Sequence, residues 1–383
     1  MAMATGVFFL SLTAIPVTYL ANALLEGRGE GEVLTVGYGV LATIALMSYV
    51  IVRLSKGSQK VSDPFFYVFA VFAFTSVVDI VLAMELDGII DNFMASYLKE
   101  GEPYLNTAHG TLINYWDGSG HYCMYLMMVT AIVWGQSYKE VGLYWAGSIL
   151  NSMVVFMPGN VSGKYGSNVK SSYFLNIPYV LFPILVALKC LRQRPETNVE
   201  RADVVAAQKK SIWKRPLDVF FVLFLFFAIL ISFLRMAAAL KSPASIAVYY
   251  LKNFEPYFQD PVLYPMIQAL VYWFYFVPYF VAAIYGFLNP GCTWMSDWAL
   301  LSAGASAQAQ FSHIGSSLHS RTPYIYRVPS DGLTAFWIIN VALMLVPQLI
   351  AWRCLTWPAF FEAKPCSSEV RDGKSSLEQR KDK

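Results

Sequence analysis

Two stretches decide the fold: Tyr97-Leu98-Lys99-Glu100-Gly101-Glu102-Pro103-Tyr104 and Tyr250-Leu251-Lys252-Asn253-Phe254-Glu255-Pro256-Tyr257. The triplets Tyr-Leu-Lys and Glu-Pro-Tyr recur in them at the same spacing, and Trp145-Ala146 recurs as Trp298-Ala299. Every pair lies 153 residues apart. A constant offset held from Tyr97 to Ala146 marks an internal duplication. Working outward, each copy has one plan: an apolar helix, a loop carrying Glu-Pro-Tyr, then three more helices. Copy one covers 61–191 and copy two 215–355. Residues 192–214, with Pro195, form a basic linker; 1–60 supply two leading helices and 356–383 a tail. An even number of helices per copy makes the copies parallel, related by an axis along the membrane normal.

Composition gives the medium. Of 383 residues, 56% are apolar and 14% charged, against about 25% charged in an average soluble domain. Mean hydropathy is +0.47, and aromatics reach 16%, which suits membrane interfaces. These values exclude a disordered chain, a disulfide scaffold and a nucleic-acid binder. Ten stretches approach the roughly 20 apolar residues a span needs. They begin near Val7, Val33, Pro64, Ser119, Val141, Tyr173, Leu217, Val262, Trp294 and Gly332. The fourth and ninth are polar and contain Gly and Ser. The first has no basic leader, so a retained helix is expected rather than a signal peptide. The expectation is an all-α polytopic membrane protein of about ten helices.

Loop charges set the orientation. Residues 53–63 carry net +2 (Arg53, Lys56, Lys60, Asp63), 189–215 net +5, and 85–119 net −5. The two basic loops decide, placing both termini in the cytosol. The chain ends Arg380-Lys381-Asp382-Lys383, similar to a di-lysine retrieval signal, with a plain charged tail as the alternative. Cys123, Cys190, Cys292, Cys354 and Cys366 show neither disulfide nor metal spacing. Phosphate-binding glycine loops, HExxH and GxSxG are absent, and no cofactor or metal is expected. Asn160-Val161-Ser162 is a glycosylation sequon beside a helix end. Pro178, Pro183, Pro265 and Pro278 are expected to kink their helices.

A charge at mid-bilayer costs roughly 2.5–3.5 kcal/mol on insertion scales, so it persists where it has a partner or a task. Asp79 lies deep in the third apolar stretch. Asp117 and His121, at i and i+4, share a helix face if the helix has begun by Asp117. Such a pair either joins helices by a hydrogen bond or passes a proton. At the repeat offset Asp79 becomes Ser232 and Asp117 becomes Leu270. Copy two instead holds Arg235, Gln308, Gln310 and His313. These last three read either as hydrogen bonds between helices or as a polar spot in a lipid pocket.

Four segments carry a family likeness: Ala73-Phe74-Thr75-Ser76-Val77-Val78-Asp79, Lys99-Glu100-Gly101-Glu102-Pro103-Tyr104-Leu105, Tyr115-Trp116-Asp117-Gly118, and Ala307-Gln308-Ala309-Gln310-Phe311-Ser312-His313. They resemble the transmembrane 6 superfamily, and the likeness runs to Trp357-Pro358-Ala359-Phe360-Phe361. The resemblance implies two EXPERA units, the four-helix fold of emopamil-binding protein (a sterol isomerase) and the sigma-2 receptor. It implies an endomembrane protein tied to sterol, triglyceride and lipoprotein handling, in the endoplasmic reticulum or the compartment between it and the Golgi, with a lysosomal membrane as alternative. Implied partners are a sterol or other lipid, membrane lipids and lipoprotein-assembly proteins.

In the sterol isomerases the resemblance implies a His four residues before an acid on one helix, and a second acid on the next. Here those positions fall on Thr75 and Asp79, and near Asp117. The acid is kept and the His is missing. Asp79, Asp117 and His121 are the candidate catalytic residues; Thr75, Tyr115 and Trp116, with Gln308, Gln310 and His313, are the candidate pocket. Asp79 is expected to face Trp116, Asp117 and His121 across a cavity in copy one. Three functions follow from this: a lipid-handling or lipid-sensing protein, an active sterol isomerase, or a ligand-free scaffold.

Overall fold

A computed structural model describes residues 2–55, 61, 63–193 and 199–363. Arg380–Lys383, Cys366, Lys56, Lys60 and Pro195 lie outside the described residues. The described chain is helical, with no strand. Among the described residues, eight helices are long and apolar enough to cross a membrane: α1 (Met3–Leu25), α2 (Glu30–Leu54), α3 (Phe65–Leu86), α5 (Lys139–Ser162), α6 (Ser171–Arg192), α7 (Pro216–Ala239), α8 (Tyr264–Leu288) and, within Tyr324–Thr356, α10 (Leu333–Thr356). Two more lie in the bundle. One is α4 (108–133), in which Ala108–Trp116 continues through a π turn, Asp117–His121, into Tyr122–Val133. The other is α9 (Met295–Leu318).

α4 begins at Ala108, not near Ser119. His109, Thr111 and Asn114 lower its hydropathy, yet all three are buried against protein. α9 has the same cause: 18 of its 24 residues are buried, so its Gln and Ser side chains meet other helices instead of lipid. Pro178 and Pro265 start helical segments rather than kinking them, where their missing N–H costs nothing. Pro183 does lie inside a helix.

The order of elements recurs. After α3 come a short helix (Ala95–Glu100), a 3-10 turn at Pro103–Leu105 and α4 with its π turn. After α7 come Ser245–Asn253, a 3-10 turn at Pro256–Gln259 and α8, which has its own π turn at Tyr272–Phe276.

The two halves meet where α5 crosses α9. A Cβ on Gly147 would lie 1.9 Å from the Leu301 carbonyl oxygen, and one on Gly304 1.8 Å from that of Tyr144. Only hydrogen fits at either position, and backbones approach this closely only through small residues. Gly304→Ala is therefore expected to destabilise the protein by about 1–3 kcal/mol through overpacking. Gly39 has no atom within 4 Å of its added Cβ. Gly39→Ala is the control, and thermal unfolding in detergent should separate the two variants.

Polar pairs reinforce this seam. The Asn151 amide donates to Gln308 Oε1 (2.6 Å) and Gln268 Oε1 (3.1 Å). Tyr264 Oη donates to Asn160 Oδ1 (2.5 Å). Asn160 is thus buried and closed to glycosylation. At one end of the bundle Lys139 pairs with Asp297 at 2.9 Å, and at the other His319 Nε2 lies 3.1 Å from Asp87.

Candidate functional site

A cavity of about 190 Å³ opens among α1–α6 on the copy-one side. α3 contributes Phe74, Thr75, Val78 and Asp79; α4 contributes Ile113, Asn114 and Asp117. α5 supplies Ile149, Ser152, Met153 and Phe156, and α6 Leu175, Asn176 and Tyr179. The leading helices α1 and α2 close one side with Val17, Leu25, Val33, Val40 and other mostly apolar residues. Tyr97 and Glu102, from the loop between α3 and α4, also line it. Three carboxyl groups therefore reach one apolar cavity: Asp79, Glu102 and Asp117. None of the described lining residues is Lys, Arg or His.

Asp79 is placed by helix periodicity. It follows Thr75 by one turn, so both point to the same side of α3. Among the described residues no side chain hydrogen-bonds to Asp79. The Thr75 hydroxyl accepts from Tyr179 Oη at 2.6 Å and donates to the Phe72 carbonyl at 3.1 Å. Thr75 and Tyr179 thus form a hydroxyl pair on this side of α3.

Asp117 opens the π turn of α4, a helix irregularity often found at functional sites. There α4 packs so closely on α3 that a Cβ on Gly118 would lie 2.5 Å from Ile80 Cβ. Asp117 Oδ1 lies 2.5 Å from His121 Nδ1, as the i, i+4 spacing implies. His121 is fully buried behind it. Its Nε2 is 2.7 Å from Ser148 Oγ, and Trp116 Nε1 donates to both, at 3.2 Å to His121 and 2.9 Å to Ser148.

Several expectations need correction. Trp116 and His121 do not line the cavity: they lie behind Asp117, consumed by a hydrogen-bonded cluster that ties α4 to α5. Tyr115 points to the end of the bundle, where its hydroxyl donates to Asp87 at 3.0 Å. Gln308, Gln310 and His313 are also absent from the cavity. Gln308 bonds Asn151 and Ser312, Gln310 donates to Tyr272 Oη at 2.5 Å, and His313 Nε2 lies 3.4 Å from Glu255. The two glutamines join helices, and His313 joins α9 to the loop that carries Glu255.

Sequence reasoning missed Glu102, reading it as one more loop charge. It is buried, accepting from Tyr97 Oη (2.9 Å), Asn176 Nδ2 (2.7 Å) and Tyr104 Oη. Burial pushes this carboxyl above its ordinary range, and its three donors offset that only in part. The signal was in the repeat, because Glu255 of the second Glu-Pro-Tyr is buried too. Glu255, however, has a cation. Arg235 pairs with it, and Arg235 also donates to Asn340 Oδ1 (2.6 Å) and Tyr250 Oη (3.3 Å). Asn340 Nδ2 donates back to Glu255 at 3.0 Å. Burial pushes the Glu255 carboxyl up, but Arg235, His313 and Asn340 outweigh it and hold it at about 2. The second copy has thus filled its polar centre with its own side chains, whereas the first has left its carboxyls facing a cavity.

Among known proteins, the model of the family described as "Transmembrane 6 superfamily member 2-like, transmembrane domain" matches residues 13–201. The mouse protein named Transmembrane 6 superfamily member 2 is 44% identical over 368 residues, covering 95% of this chain and 96% of that one. Its human namesake is 43% identical over 362 residues, covering 94% and 95%. No solved structure matches the chain. With likeness of that extent along nearly its whole length, the chain belongs to the transmembrane 6 superfamily.

Proposed function

We propose that this membrane protein binds a sterol-like or other amphiphilic lipid in the copy-one cavity, and through it influences sterol, triglyceride and lipoprotein handling. One observation carries the reading: apolar walls surround three carboxyl groups, with no cation among the described lining residues. The walls suit a lipid body. The carboxyls suit its single polar end, a hydroxyl if they are protonated or an amine if they are ionised. A scaffold would gain nothing from Asp79, which pairs with no other described side chain.

Isomerisation is disfavoured. An alkene must be protonated in a dry site, but Thr75 replaces the expected His and His121 lies outside the cavity. In this reading α1–α10 all cross the membrane, with 61–191 and 215–355 as two EXPERA units and 192–214 as a cytosolic linker. Both termini are then cytosolic, in the endoplasmic reticulum or the compartment between it and the Golgi, with the lysosomal membrane as alternative. Lipoprotein-assembly proteins are the proposed partners.

Lipid extracted from the purified protein and identified by mass spectrometry tests this. A single class of sterol or amphiphile, near one per chain and depleted from Ser152→Trp protein, is expected. Bulk phospholipid alone, unchanged in the variant, would remove the proposal.

A further inference from the structure

A second cavity, of about 770 Å³, lies at the bundle end that carries the two basic loops. The short helix Arg201–Gln208, the first turn of α7, the end of α10 and the turn Pro358–Phe360 bound it. Gln208 Nε2 donates to the Glu362 carbonyl (2.7 Å), fastening the short helix over the turn.

Its floor is a buried charge cluster. Arg353 donates to Asp218 from Nε (2.9 Å) and Nη2 (3.1 Å), and to the Trp357 carbonyl from Nη1 (2.7 Å). Arg215 donates to Asp218 (2.5 Å) and to the Phe287 carbonyl (2.9 Å), with its guanidinium 3.7 Å from the centre of the Phe360 ring. Two guanidinium groups thus share one carboxylate. The Arg215 side chain is only 9% exposed, yet its Nε–H has no hydrogen-bond partner among the described residues. Such a buried donor is costly unless something accepts from it. Lys210 and Lys214, both exposed, line the same cavity, as do Glu200, just before the short helix, and Asp203, in its first turn. Trp213 is 80% exposed and Trp357 49%, as residues at a membrane–water boundary are.

We propose that this cavity binds a phosphate monoester. The exposed Lys210 and Lys214 ammonium groups would close over its oxygens, with the Arg215 and Arg353 guanidinium groups beneath them as fixed positive charge. A planar fork with flexible amines around it suits an oxyanion. Two sources share this chemistry, an anionic phospholipid headgroup and a soluble phosphoester, and the position at the helix ends favours the lipid. The site is separate from the copy-one cavity, so either proposal can fail alone.

The test uses the full-length protein in detergent, titrated with dioctanoyl phosphatidic acid, glycerol 3-phosphate and dioctanoyl phosphatidylcholine. The variant is Lys210→Ala with Lys214→Ala. Neither lysine side chain has a hydrogen bond among the described residues, and Ala keeps the backbone bonds, so the unfolding temperature should hold. Phosphatidic acid affinity should fall about twenty-fivefold, from two lysines each giving about fivefold toward an anionic headgroup, and added salt should weaken binding further. Phosphatidic acid binding above glycerol 3-phosphate supports the site with a lipid as its source. Equal binding of the two, both lost in the variant, supports it with a soluble source. Equal affinity for phosphatidylcholine, or an unchanged affinity in the double variant, would overturn it.

Discussion

Arg235→Met should be the most destabilising single change away from the cavity, costing about 3–5 kcal/mol, because it leaves a carboxylate buried without its cation. Arg235 is 2% exposed and Glu255 fully buried. Neither water nor lipid can replace the lost guanidinium. Adding Glu255→Gln should recover most of the loss, since replacing a whole buried pair is often neutral. The same pairing sets an acid dependence. Glu255 sits at about 2 in the folded protein against an ordinary 4.5. Its contribution is therefore complete above pH 4.5 and lost as pH falls toward 2. Thermal unfolding in detergent checks all three results. If Arg235→Met melts with the wild-type protein, Glu255 is not held as described. Folded double-variant protein should still bind its lipid, because this cluster lies outside the first cavity.

Asp79→Asn should lower affinity for the cavity's ligand by about ten- to a hundredfold, while unfolding temperature holds. The substitution keeps the side chain's volume and replaces the carboxyl group by an amide that cannot ionise. A hydrogen bond to a charged group contributes about 1.5–3 kcal/mol, and each 1.4 kcal/mol is tenfold in affinity. With no described hydrogen-bond partner to lose, the fold has little stake in the carboxylate. Competition binding with a radiolabelled sterol and with an amphiphilic amine would read the effect, and the ligand class that loses more identifies the polar end recognised. A scaffold would show no change for either.

Much of the fold was legible in the sequence because lipid exposure leaves a plain record. α3 is an apolar run bounded by Pro64 and Asp87, and only its buried acid interrupts the reading. α4 and α9 were harder, since hydropathy registers contact with lipid rather than burial. His109, Asn114, Gln308 and Gln310 are polar and buried because they face other helices. The site was legible by half. Asp79 was exposed by its cost, and Asp117 by its spacing from His121. His121 and Trp116 were misplaced because helix periodicity gives a shared face but not what lies beyond it. Glu102 was missed because a loop carboxylate is ordinarily solvated. Only the fold brings Tyr97, Tyr104 and Asn176 around it. The part played by α1 and α2 in closing the cavity could not come from the duplication, which does not include them.

The most direct test is photolabelling of the full-length protein in membranes with a photoactivatable sterol, followed by peptide mapping. Labels are expected on the cavity-facing positions of α3 and α6 around Phe74–Asp79 and Leu175–Tyr179, lost on competition with unlabelled sterol. Copy two, around Arg235 and Glu255, should remain unlabelled. Labels spread over the lipid-facing surface, insensitive to competitor and indifferent to Asp79→Asn, would contradict this expectation.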